Sequence, residues 1–173
     1  AAPETPEVAG EGAVKTGLSV TTSLASSASA GPEAEGLAQT DVTIVAVTVN
    51  EEGVITACAI DAVQAKAGFS AAGEITADLS APILSKNELG TDYGMGQYSP
   101  IGREWDEQAA ALAAYVVGKT AQEVSGIAVN EETRPTDADL STSVTNAIGG
   151  FLPAIVEAVE NAAYLGAQNG DEL

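Results

Sequence analysis

The chain has 173 residues, with 25 acidic side chains against six basic ones, no histidine and one cysteine. A formal charge of −19 repels phosphate backbones and anionic lipid, which excludes nucleic acids and acidic membrane surfaces as partners. Without histidine there is no imidazole base, shuttle or ligand, and a single cysteine makes neither an internal disulfide nor a thiolate metal site.

The length suits one domain with a core of ordinary size. No stretch approaches the roughly 20 apolar residues that crossing a bilayer needs, so no membrane insertion is expected. Residues 1–12, small, acidic and proline-bearing, read as a disordered acidic spacer. Such a spacer is what remains when a signal or lipoprotein leader is removed, and an ordinary frayed end looks the same. Together with the acidic surface it points to an extracytoplasmic protein, secreted or lipid-anchored.

Residues 14–24 alternate, with Val14, Leu18, Val20 and Leu24 on one parity and Lys15, Gly17 and Ser19 on the other, which predicts a strand with one buried face. A small-residue loop follows to Gly36. Val42–Val49 is apolar on both parities and predicts a central strand. Asn50-Glu51-Glu52-Gly53 makes a turn, and Val54–Ile60 returns as the second arm of a hairpin. Residues 69–85 suggest further short strands.

Residues 86–102 are irregular, with glycines at 90, 94, 96 and 102. Ser99-Pro100 has the form of an N-cap and first helical residue, ahead of a stripe of Trp105, Ala109, Leu112 and Val116 closed by Gly118. Thr120 and Glu123 have capping-box spacing. Thr136 with Asp139 would cap a helix bearing Leu140, Val144, Ala147 and Phe151, broken near Gly149-Gly150 and Pro153, with a second helix from about Pro153 to Leu165. Strands first and helices second predict one α+β domain over 13–166, a mainly antiparallel sheet from the N-terminal half packed against C-terminal helices, and a frayed tail over 167–173.

The segment 86–105 is the candidate ligand site. Glycines admit close approach of backbone to a ligand, Tyr93, Tyr98 and Trp105 offer flat faces, and Lys86 and Arg103 are two of only six cations. These five residues would bind a planar or phosphorylated small molecule, or a protein partner. The plainer reading makes the segment a long connection with Trp105 in the core. Glu88, Asp92, Glu104 and Asp106 could offer oxygens to Ca²⁺, but the spacing matches no calcium loop, and a solvated acidic face explains them as well. No catalytic residue emerges: serines lack a base, Ser85-Lys86 are adjacent and would point apart on a strand, and Cys58 reads as a small buried hydrophobe. The hydroxyl run Ser141 to Thr145 reads as helix capping, or as a phosphate contact.

Residues 42–61, VTIVAVTVNEEGVITACAID, resemble the hairpin that opens bacterial FMN-binding domains, and residues 136–162 are similar to the flavin-attachment region of that family. The resemblance implies an FMN-binding-domain-like fold, an extracytoplasmic setting and a flavin. The family's Gly-Ala-Thr acceptor motif is absent around Leu140, so no acceptor is carried over and only non-covalent FMN is implied. The middle segment, with Tyr93-Gly94-Met95 and Ile101-Gly102-Arg103-Glu104-Trp105, resembles lipoprotein-like extracytoplasmic proteins of bacteria. The expected function is thus a non-catalytic binding protein. Its alternatives are a structural or adhesive surface protein with an acidic cation-binding face, and a redox carrier with non-covalent FMN.

Overall fold

The computed structural model describes residues 12–171 and 173, so the expected spacer falls, but for Gly12, outside the described residues. Strand β1 (Ala13–Ser23) pairs with β2 (Gly36–Val49), and β2 pairs with β3 (Ile55–Phe69), all antiparallel. Short helix α1 (Lys86–Leu89) leads into a 3₁₀ turn at Gly90–Tyr93. Then come α2 (Trp105–Val116), α3 (Ala121–Ser125), α4 (Ala138–Ser141), α5 (Phe151–Glu160) and β4 (Ala163–Gln168), which pairs antiparallel with β1. The sheet order is β3-β2-β1-β4, an α+β architecture with an antiparallel sheet.

Alternation decides which face of the sheet is covered. Val45 and Val47 stand opposite Ile60 and Cys58 on β3, and opposite Ser19 and Gly17 on β1. This face meets Trp105, Leu112 and Val116 of α2 and Ile155 and Ala158 of α5 to form the core. Gly17 lets α5 lie directly on β1, because a Cβ there would overlap the Ala158 carbonyl oxygen. The adjacent Ser19 hydroxyl donates to Glu157 at 2.7 Å. The opposite parity faces away from the helices, and there Leu18 and Val20 are more than half exposed.

Several elements differ from expectation, each for a local reason. The hairpin arms are longer than Val42–Val49 and Val54–Ile60, because Gln39, Asp41 and Gln64 satisfy one another across the extension. Residues 70–85 form no continuous strand; single bridges from Ile75 to Phe69 and from Ser85 to Val63 tie them to the β3 edge. Helix α2 starts at Trp105 rather than after Ser99-Pro100, with Glu104 as N-cap and Glu107 completing a capping box. The helix expected through Leu140, Val144, Ala147 and Phe151 is one turn, α4, capped by Asp137 rather than Thr136. Beyond it Val144 and Ile148 still bury fully, but from a coiled segment. The second helix stops at Glu160, and residues 163–168, expected as its last turn and the start of the tail, form β4.

Candidate functional site

Ser85 caps α1: its hydroxyl accepts from Glu88 N, and the Glu88 carboxylate accepts from Ser85 N at 2.8 Å. The cap spends the Ser85 oxygen on backbone and holds Lys86 at the start of the turn. The Lys86 ammonium lies 4.7 Å from the Tyr93 ring centroid and 5.1 Å from that of Trp105. Such contacts contribute about 0.5–2 kcal/mol, more as water is excluded. Trp105 itself is buried and meets Phe151 at 6.0 Å, so its ring belongs to the core. Nearby, Gln39, Ser26 and Gln64 donate to the Asp41 carboxylate. These bonds, led by Gln39 and aided by the Lys86 charge, hold Asp41 below the usual carboxylate range.

Of the five candidate residues, the structure therefore gathers Lys86, Tyr93 and Trp105. Tyr98 is 82% exposed, and Arg103 is exposed too, its carbonyl oxygen accepting from Gln108. The four acids do not converge either. Glu104 accepts from Met95 N at 2.8 Å, Glu88 serves the α1 cap, and among the described residues no group of three or more metal-ligating side chains forms. In the hydroxyl run, Ser141 and Thr142 donate back to carbonyls of α4, as capping side chains do.

Beside this cluster lies a groove of about 590 Å³ between the β3 edge and α2. Ala57, Cys58 and Ala59 form one wall, and Ala110, Ala113 and Ala114 the other. Short side chains on both elements hold the strand and helix together at the core while leaving a gap above it. Asn87 and Asp106 also line the groove, as do Thr56 and Val117. Two bonds locate these pairs: Asn87 Nδ2 donates to Ile60 O at 3.0 Å, and Gly118 N donates to Ile55 O at 2.8 Å. Asn87 and Asp106 thus mark one end, Thr56 and Val117 the other.

Two side chains give the groove its chemistry. Asp106 Oδ1 is buried and has no hydrogen-bond partner among the described residues, a costly state for a carboxylate oxygen. Burial pushes the Cys58 thiol up to about 12, so it stays protonated and is a poor nucleophile at neutral pH. Sequence reasoning turned to the aromatic segment and did not single out this groove. The signal it passed over was the matched alanines of residues 57–59 and 110–114, which reads as bland composition until the two runs face each other.

The flavin implied by the resemblance does not fit these residues. The groove lining holds the Asp106 carboxylate and no cation to meet a phosphate, and Lys86 is already set against the Tyr93 and Trp105 rings. No family model, curated protein or solved structure matches the chain.

Proposed function

We propose that this chain is a non-catalytic binding protein that takes its ligand in the groove between β3 and α2. The observation that carries the reading is the alanine-walled gap of about 590 Å³ with the Asp106 carboxylate as the one acidic group of its lining. The volume is within the roughly 300–1,000 Å³ of small-molecule sites, and an apolar lining with one placed polar group is their usual composition. The carboxylate favours a ligand with an N–H donor or a cation over the phosphorylated one suggested by Lys86 and Arg103. An extracytoplasmic setting accords with the acidic composition and is part of the same proposal.

The test is a fragment screen by amide NMR on the full chain, using a mixed set of amines, flavins, nucleotides and sugar phosphates. Amine-bearing fragments should shift the amides of residues 56–59, 106 and 110–114. Ala114→Phe, at an exposed position in the groove wall, should abolish those shifts while keeping spectral dispersion. Shifts confined to Tyr98 and Arg103, or shifts that survive Ala114→Phe, would place the site elsewhere.

A further inference from the structure

The class of ligand follows from the strand edge, given that the groove is a binding site at all. β3 is the terminal strand of the sheet, and besides the Phe69–Ile75 bridge at its far end its outer side is engaged at two points that bound the groove. At one, Ile55 N donates to Lys119 O at 2.9 Å and Gly118 N donates to Ile55 O. At the other, Asn87 Nδ2 holds Ile60 O, and Ser85 bridges to Val63. Between them, among the described residues, no hydrogen bond beyond those of the β2 ladder reaches the main chain of residues 56–59.

An unpaired strand edge presents N–H and C=O groups in alternation, and the ligand that matches that alternation is another extended backbone. From residue 55 to residue 60 the edge runs about 17 Å, at about 3.4 Å per residue, which is room for four or five residues of peptide. Every second side chain of such a peptide would point toward Ala110 and Ala114, where the helix supplies only methyl groups. The Asp106 carboxylate at the Asn87 end selects for positive charge, and the −19 of the whole chain reinforces that selection at longer range.

We propose that the groove binds a short, extended, basic peptide, which adds to the β3 edge as a fifth strand and sets a cationic group on Asp106. That cation is either a Lys or Arg side chain or the peptide's own terminal ammonium; both offer the same N–H donors.

The experiment is an NMR titration of the full chain with three pools of pentapeptides built from Val, Thr and Tyr. One pool is acetylated and amidated with a central Lys, one is identical with a central Glu, and one lacks Lys but keeps a free terminal ammonium. Slowed amide exchange at residues 56–59 is expected with the Lys pool or the free-ammonium pool, and which of the two acts identifies the source of the cation. The Glu pool should bind at least ten-fold more weakly. Asp106→Asn should bring the Lys and Glu pools to within about three-fold, and Ala114→Phe should remove both with the fold intact. If no pool perturbs residues 56–59 at millimolar concentration while amine fragments still do, the peptide proposal falls and the groove remains a small-molecule site. If neither peptides nor fragments act there, both readings fall. If the Glu pool binds as well as the Lys pool, the assignment of Asp106 is overturned.

Discussion

Two polar side chains on α2, Asp106 and Gln108, show how much a partner matters. Gln108 is 1% exposed, yet every polar atom of its side chain is used. Its Nε2 donates to Ser99 Oγ and Arg103 O, while Oε1 accepts from Thr145 N at 2.8 Å and Asn146 N at 3.2 Å. It therefore ties the turn before α2 and the coil after α4 to one helix. Gln108→Met keeps the volume but strands two partly buried amides, each costing up to about 1–3 kcal/mol. Asp106 is the reverse case, because its Oδ1 has nothing to lose. Asp106→Asn removes a poorly solvated charge against a helix-dipole contribution of about 0.3–1 kcal/mol. In one urea series, Gln108→Met should be destabilised by on the order of 3 kcal/mol, and Asp106→Asn should match or exceed the parent. A destabilised Asp106→Asn would mean that the carboxylate is held by water or by an unseen contact and is not reserved for a ligand.

At the scale of elements, the two faces of the sheet make separate predictions. Ile155 is fully buried where α5 meets the sheet, so Ile155→Ala should cost about 2–5 kcal/mol. Leu18 is 55% exposed on the open face, so Leu18→Lys should stay within about 0.5 kcal/mol. Chemical denaturation of the two variants measures both, and a large loss at Leu18 would show that something covers that face. The same contrast explains what was legible in the sequence. Period-two alternation around Leu18 marked β1 as a strand but pointed to the wrong face, since Leu18, Val20 and Leu24 are exposed while Gly17 and Ser19 meet α5. Apolarity on both parities marked β2 as central, and Thr120 with Glu123 marked the cap of α3. The helix expected beyond Leu140 failed because Val144 and Ile148 bury as well from a coil as from a helix, and burial is all that their spacing records. β4 was hidden because Ala163-Tyr164-Leu165 continues a helical pattern. Only the unfilled edge of β1, a tertiary fact, makes a strand there worth forming. The groove was hidden for a related reason: an absence of bulk has no signature within either element alone.

For the molecule as a whole, charge sets the response to solvent. A net −19 strains the compact state by self-repulsion, and salt screens it over a Debye length of about 10 Å at 0.1 M. The melting temperature should therefore rise with NaCl at pH 7.5. Acid acts in two stages. Near pH 4–5 the majority of carboxylates begin to protonate and repulsion eases. Asp41 and Glu123 titrate lower, Asp41 through its bond from Gln39 above all and Glu123 through its bond from Thr120 N. Because the unfolded chain binds those protons at higher pH than the folded one, their stabilisation is complete above the ordinary carboxylate values. It is lost as pH falls through the depressed ones. Calorimetry should find maximum stability near pH 4–5 and a steep decline below it. A melting temperature indifferent to salt would show that the acids are too dispersed to repel.

The pairing of Ala13 with Gln168 has a consequence for how the protein can be joined to other things. The first and last strands end side by side at one margin of the sheet, and the β3 groove lies at the opposite margin, three inter-strand spacings or about 14 Å away. A surface, a label or a fused domain joined at β4 is therefore held at the margin of the sheet opposite the β3 edge. A short linker closing residues 13 and 168 would allow the chain to be reopened at the exposed Pro32–Glu33 turn between β1 and β2, away from residues 55–60 of β3. In a circular permutant or an immobilised sensor, the two ends behave as a single handle.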